Sequence, residues 1–78
     1  MQVISRCSPG DRAVLRAVRG PRDQVRRLLE LGLVPGTVMR VLTRGATGGL
    51  ILAAGSTRIA IDARVASLLV VSPAAQTP

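Results

Sequence analysis

The side chains of this chain that could act as nucleophiles, bases or metal ligands are few, because the sequence contains no histidine. They are Cys7 near the start of the chain and four carboxylates: Asp11, Asp23, Glu30 and Asp62. Without an imidazole, neither a serine nor a cysteine nucleophile can be paired with a histidine base. The carboxylates are scattered along the chain, so a catalytic acid–base pair has no support. We therefore expect a protein that is not an enzyme.

The same residues argue against a metal or cofactor site. A divalent transition metal needs imidazole, carboxylate or thiolate ligands in a cluster, whereas this chain offers one thiol and no acids at ligand spacing. A lone Cys7 ligand or redox sensor is the minor alternative, because a reactive thiol needs exposure and a lowered pKa. The glycine-rich segment 45–49 lacks the lysine and the following helix of a phosphate-binding loop. We predict no catalytic, cofactor-binding or metal residues.

Arginine dominates the charge of the chain, which has a formal net charge of +7 and contains no lysine. Such a balance favours an anionic partner, although arginine in place of lysine also reflects genomic base composition. Arg26 and Arg27 can pair with acids one helical turn away, which is typical of a solvated helix face. Six arginines lack an obvious local partner and are the candidate docking residues: Arg16, Arg19, Arg40, Arg44, Arg58 and Arg64.

The segment 26–37 predicts how a helix ends and a strand begins. Gly32 follows the last periodic leucine of a helix predicted over 22–31, where a C-terminal cap requires positive φ. Leu33 is then placed to contact the last helical turn. Residues 34–37 have the sequence of a type II turn, with proline presetting φ and glycine at the positive-φ corner.

Short strands and turn signals fill the rest of the 78 residues. Strands are predicted at 12–18, 38–43, 50–54, 58–61 and 69–71, with a bulge in the first strand and a helical turn from its cap Asp62 through Ser67. Closing short strands into a barrel removes exposed edges. We predict a mainly β domain with one helix and one helical turn, a small SH3-like barrel over residues 1–72, followed by a disordered tail over 73–78.

Composition limits the stability and the location of this domain. A core without any aromatic residue must be built from leucine, valine and isoleucine, and so small a core usually supplies only about 3–5 kcal/mol. The apolar runs are too short to span a bilayer, and the N-terminus lacks a signal-peptide pattern. We expect a cytoplasmic protein with no membrane span.

The order of these motifs resembles that of the ferrous iron transport protein A (FeoA) family. Residues 4–11 resemble its opening leucine-x-x-leucine-x-proline-glycine-acid, and residues 27–36 resemble its central basic residue followed by leucine-x-x-leucine-glycine-leucine-x-proline-glycine. Cys7 stands in place of a leucine, and the loop 46–49 lacks a proline that the family often has there. The resemblance covers residues 4–71, and its hallmark residues here are Gly10, Leu28, Leu31, Gly32, Pro35 and Gly36.

The resemblance implies a non-enzymatic accessory protein of ferrous iron uptake that docks on the cytoplasmic GTP-binding portion of the ferrous iron transporter (FeoB). Iron-dependent transcription regulators carry a similar barrel, but this sequence shows no helix-turn-helix segment. The alternative is a small basic barrel that binds nucleic acid. The charge favours that alternative, whereas the lack of aromatic side chains for base stacking weighs against it.

Overall fold

A computed structural model describes residues 1–74 of the chain, which form a single antiparallel sheet and short helices. The elements are β1 (Gln2–Val3), a 3₁₀ helix (Ile4–Arg6), β2 (Arg12–Val18), α1 (Arg22–Glu30), β3 (Val38–Arg44), β4 (Leu50–Ala54), β5 (Thr57–Ile61), α2 (Ala63–Ala66) and β6 (Leu69–Pro73). The strands are hydrogen-bonded in the order β1-β6-β2-β3-β4-β5. The predicted mainly β architecture, with one helix and one helical turn, is confirmed.

Two β-bulges curve the sheet. In β2 the pairing with β6 shifts between Leu15 and Ala17, so Arg16 is the extra residue. In β3 the pairing with β4 shifts between Val41 and Thr43. A bulge bends its strand and increases the local twist, which allows short strands to wrap around a common interior. The first bulge was predicted from the mixed faces of β2, and the second was not.

The core lies on the concave face of the sheet and is closed by residues outside the strands. Ile4 of the 3₁₀ helix and Leu33 in the loop after α1 have no exposed surface. The other buried core residues are Cys7, Ala13, Leu15, Leu28, Met39, Val41, Leu50, Leu52, Ile59, Ile61, Ala66, Leu69 and Val71. No polar or charged residue is buried within residues 1–74.

Helix α1 ends in the cap that the sequence predicts. The Leu33 amide donates a hydrogen bond to the Leu28 carbonyl (3.0 Å), and the Gly32 amide donates one to the Leu29 carbonyl (3.0 Å). Gly32 has φ +98°. This pair of bonds defines a Schellman motif, and buried Leu28 and Leu33 make its apolar contact. The helix is one residue shorter than predicted, because Leu31 is its C-cap.

The turn after α1 is fixed to the sheet. The Thr37 amide donates to the Val34 carbonyl (3.0 Å), and Gly36 has φ +96°, as predicted for a type II turn. The Gly36 amide also donates to the Leu15 carbonyl (2.7 Å), and the Leu15 amide donates to the Thr37 carbonyl (2.8 Å). The turn therefore extends the pairing between β2 and β3, and it holds the end of α1 against the barrel.

The structure contains ordered elements at both ends of the chain that were not predicted from the sequence. Strand β1 and the 3₁₀ helix were not predicted, because two or three residues are too few to show a period. Pro73, which was expected in the tail, is the last residue of β6 and pairs with Ala13. Ala74, also expected in the tail, follows β6, and its amide donates to the Arg12 carbonyl (3.1 Å). The remainder of that tail, 75–78, lies outside the described residues.

Replacing Gly32 by alanine should lower the free energy of unfolding by about 1–3 kcal/mol, because an L-residue is strained at this φ. A Cβ built on Gly32 meets no atom within 4 Å, so the loss reports backbone strain without a steric clash. Valine, which is β-branched, should cost more. Urea unfolding followed by far-ultraviolet circular dichroism measures both.

The matched control is Gly45→Ala in the loop before β4. Gly45 does not have positive φ, and its Cβ would make ordinary contact with the Gly49 carbonyl oxygen at 3.6 Å. We expect its urea midpoint to stay near that of the wild type. Equal midpoints for the Gly32 and Gly45 variants would contradict the role of Gly32 as the left-handed cap.

Candidate functional site

Three arginines form a row across the outer face of the sheet. Arg12 of β2 lies opposite Arg40 of β3, Arg40 lies opposite Ala53 of β4, and Ala53 lies opposite Arg58 of β5. All three arginines are exposed, and their strand neighbours Ala13, Met39, Val41 and Ile59 are buried. Because side chains alternate between the faces of a strand, the row points away from the core. We call Arg12, Arg40 and Arg58 the arginine row.

None of the four acids lies on a strand, and the nearest in sequence to the arginine row is Asp11, which directly precedes Arg12. The Asp11 carboxylate accepts a hydrogen bond from the Ser8 amide (2.8 Å) in the turn before β2. The Asp62 carboxylate accepts one from the Val65 amide (2.8 Å) as the N-cap of α2, as predicted. Asp23 and Glu30 lie on α1. The outer face of the sheet is therefore positively charged.

The Arg44 side chain forms hydrogen bonds with main-chain groups that are far from it in the sequence. Its guanidinium donates hydrogen bonds to the Cys7 carbonyl (2.7 Å) and the Ser5 carbonyl (2.7 Å). The bulge in β3 explains the direction of this side chain, because after the shift Arg44 pairs with buried Leu50 and not with a residue of the outer face. Arg44 thus ties the end of β3 to the 3₁₀ helix through partners that are distant in the sequence, and its role in docking stays a prediction.

The other predicted docking residues are spread over the surface. The Arg16 Nε donates to the Ser72 hydroxyl (2.7 Å) across the β2–β6 pair. The amide of exposed Arg19 donates to the Leu68 carbonyl (2.9 Å), next to the end of α2, where Arg64 also lies. Of the six candidates, the structure brings only Arg40 and Arg58 into one row. Arg12, the third member, was not among the predicted docking residues, because the pairing of β2 with β3 across α1 does not follow from strand alternation.

Four exposed apolar side chains lie in the segment 29–38, which contains the hallmark turn. Leu31 exposes 52% of its surface, and Leu29, Val34 and Val38 are also exposed. The hallmark residues therefore divide into two groups: buried Leu28 and positive-φ Gly10, Gly32 and Gly36 support the fold, whereas Leu31 and Pro35 lie at the surface.

The single thiol is not placed for chemistry. Cys7 is 3% exposed and packs in the core. Burial raises the pKa of the Cys7 thiol, and the Asp11 carboxylate raises it further against the opposing effect of Arg44. A raised pKa keeps the thiol protonated, which weakens it as a nucleophile and as a metal ligand. Within residues 1–74, no three histidine, cysteine or acidic side chains come together in a group able to hold a metal ion.

The curved six-stranded sheet, with α1 inserted between β2 and β3, defines an SH3-like barrel domain. The model of the FeoA domain family matches residues 3–73, and the chain belongs to that family. No curated protein matches the sequence significantly. No helix within the described part of the chain is long and apolar enough to cross a membrane.

Solved structures of FeoA proteins share this fold. An iron uptake regulatory protein (FeoA) is 29% identical, with a TM-score of 0.79 over 87% of this chain and 91% of its own. FeoA from Chlorobium tepidum is 26% identical, with a TM-score of 0.87 over 99% and 74%. Stenotrophomonas maltophilia FeoA, solved with zinc, is 31% identical, with a TM-score of 0.77 over 92% and 91%. That protein is described as an SH3 domain protein, and a role as a bacterial ferrous iron transport activating factor has been suggested for it.

Replacing Arg44 by alanine should lower the free energy of unfolding by about 1–2 kcal/mol, because it removes charge-assisted hydrogen bonds to two carbonyls. The matched control is Arg40→Ala on the same strand, which removes the same charge from the outer face and should change stability by less than about 0.5 kcal/mol. Urea unfolding of both variants measures the difference. If Arg40→Ala is as destabilised as Arg44→Ala, the Arg44 bonds do not hold the 3₁₀ helix in place.

The protein should bind ferrous iron no more tightly than micromolar, because residues 1–74 contain no cluster of imidazole and carboxylate ligands. Anaerobic calorimetry on untagged protein measures this. Cys7→Ala is the control and should give the same heats, since the buried thiol is not a ligand. A saturable ferrous site tighter than micromolar in the wild type would contradict this prediction.

Proposed function

We propose that this protein is a non-enzymatic accessory factor of ferrous iron uptake in the cytoplasm. It acts by docking on the cytoplasmic GTP-binding portion of a ferrous iron transporter. Membership of the FeoA family supports the link to iron uptake, as does the activating role suggested for Stenotrophomonas maltophilia FeoA, which is 31% identical. The observation that carries docking as the mechanism is the outer face of the sheet, whose strands carry arginines and no acids.

Two kinds of surface support protein recognition. The arginines of the outer face attract an acidic partner surface and raise the rate of association. The exposed leucines at the end of α1, Leu29 and Leu31, offer apolar contact area of the kind that protein interfaces bury. Arg16, Arg19 and Arg64 extend the positive surface beyond the arginine row, whereas Arg44 contributes mainly to the fold.

Nucleic acid binding is the alternative function. The net charge of +7 would supply non-specific affinity for phosphates. The chain has no aromatic side chain on which bases could stack, and a phosphate backbone would leave the exposed leucines uncovered. Both observations favour a protein partner.

A competition experiment tests this function. Immobilised protein is offered duplex DNA, single-stranded RNA and the cytoplasmic domain of a ferrous iron transporter together at physiological salt. We expect the transporter domain to be retained, with an association rate that falls as salt is added, because screening weakens electrostatic steering. Salt dependence alone does not discriminate, since nucleic acid would show it too. Retention of nucleic acid without a transporter complex would overturn the proposal and favour the alternative.

A further inference from the structure

We propose that the arginine row is a recognition site for an extended acidic protein segment that presents both carboxylates and aliphatic side chains on one face. This inference deepens the proposed function and rests on it in one respect: the transporter's cytoplasmic portion would carry the segment. The site is one defined line of three side chains, Arg12, Arg40 and Arg58, and not a diffuse positive surface.

The register of the sheet brings these like charges together. Arg12 and Arg40 are direct cross-strand partners, and like charges in that position destabilise a sheet. Arg58 follows two strands further along the same row, about 10 Å from Arg40 at the usual strand spacing of about 4.8 Å. Among the described residues, the arginine side chains that donate hydrogen bonds belong to Arg16 and Arg44. Within residues 1–74, no hydrogen bond from the side chains of the row therefore offsets the repulsion between its positive charges, and an acidic partner would offset it.

The surface between the arginines is shaped to admit a side chain. Ala53 occupies the row position between Arg40 and Arg58, and its methyl group leaves a gap between two long cations. A depression of about 340 Å³ lies beside this gap and is lined by Arg12, Val38, Met39, Arg40, Ala53 and Gly55. A glutamate side chain entering here can meet guanidinium groups from neighbouring strands, which suits the planar, bidentate pairing of arginine with carboxylate.

Apolar side chains beside the row favour a protein segment over a phosphate backbone. Val38 on β3 exposes 43% of its surface, and Ile51, two residues before Ala53 on β4, exposes 40%. Successive side chains of an extended segment point to opposite faces. A segment in which pairs of acids alternate with pairs of valines or leucines therefore presents both kinds of side chain to this surface and covers both the charges and these aliphatic groups. A nucleic acid backbone would pair with the arginines and leave the aliphatic groups in water. A second copy of this chain is disfavoured, because each copy carries +7 and no acid on a strand.

The test compares two triple variants of equal charge. Arg12→Glu, Arg40→Glu and Arg58→Glu reverse the row, whereas Arg6→Glu, Arg22→Glu and Arg26→Glu reverse three exposed arginines that are not candidate docking residues. Both variants have a formal net charge of +1 instead of +7. Urea unfolding checks that each still folds. A third variant with glutamine at the three row positions removes the charges without adding repulsion, and it decides the question if the glutamate variant does not fold.

The probe is a peptide that repeats Glu-Glu-Val-Val, titrated by calorimetry beside a peptide that repeats Ser-Ser-Val-Val and an oligothymidine of the same charge as the acidic peptide. We expect the acidic peptide to bind the wild type, to bind the row variant at least about tenfold more weakly, and to bind the control variant within about threefold of the wild type. Equal losses in the two variants, or tighter binding of oligothymidine than of the acidic peptide, would overturn the inference.

The transporter domain then separates this inference from the proposed function. If the wild type binds the transporter domain and the row variant binds it as well as the control variant does, the row is not the docking site, and the proposed function stands. If the wild type does not bind the transporter domain while the peptide still requires the row, the proposed function is wrong, and the row remains a site for acidic segments.

Discussion

The interior of this barrel has to be filled by aliphatic side chains, because the chain contains no aromatic residue. Such side chains fill a small volume, so the walls of the sheet must approach closely to reach the packing density of a protein interior. The bulges in β2 and β3 supply the curvature, but the strands alone do not seal the core. Ile4 and Leu33 complete it from outside the sheet. The cap at Gly32 holds the loop that carries Leu33, and the hydrogen bonds of Arg44 hold the 3₁₀ helix that carries Ile4. Both features therefore help to close the core.

Sequence reasoning succeeded where a local rule determines the geometry. The cap at Gly32 and the turn at Gly36 were predicted because positive φ at a helix end or at a type II corner strongly favours glycine. The N-cap role of Asp62 follows from the same kind of local chemistry. The five predicted strands are present, because their apolar residues alternate or cluster between clear turn signals. These features are enough to predict the fold class and the connection from α1 to β3.

The sequence does not predict which side chains share a face when this depends on pairing between distant strands. Arg12 and Arg40 are 28 positions apart and become neighbours only through the register of β2 and β3. Strict alternation of side chains from Val41 would place Arg44 on the outer face of the sheet. The bulge after Val41 moves Arg44 to the opposite face and directs its guanidinium to the 3₁₀ helix. A single extra residue moves every following side chain to the other face. The hallmark motif was therefore readable from the sequence, whereas the arrangement of the charged surface was not.

Within residues 1–74, strand β5 has one neighbour in the sheet, so its other edge is not paired with a strand. Such an edge can recruit the same strand of another molecule and start aggregation. Arg58 lies on that strand, and a copy approaching edge to edge would bring a second Arg58 and a further net charge of +7 towards it. The arginine that contributes to the outer face thus also keeps molecules apart. Because this protection is electrostatic, colloidal stability should be greatest in dilute buffer and should decline as ionic strength increases.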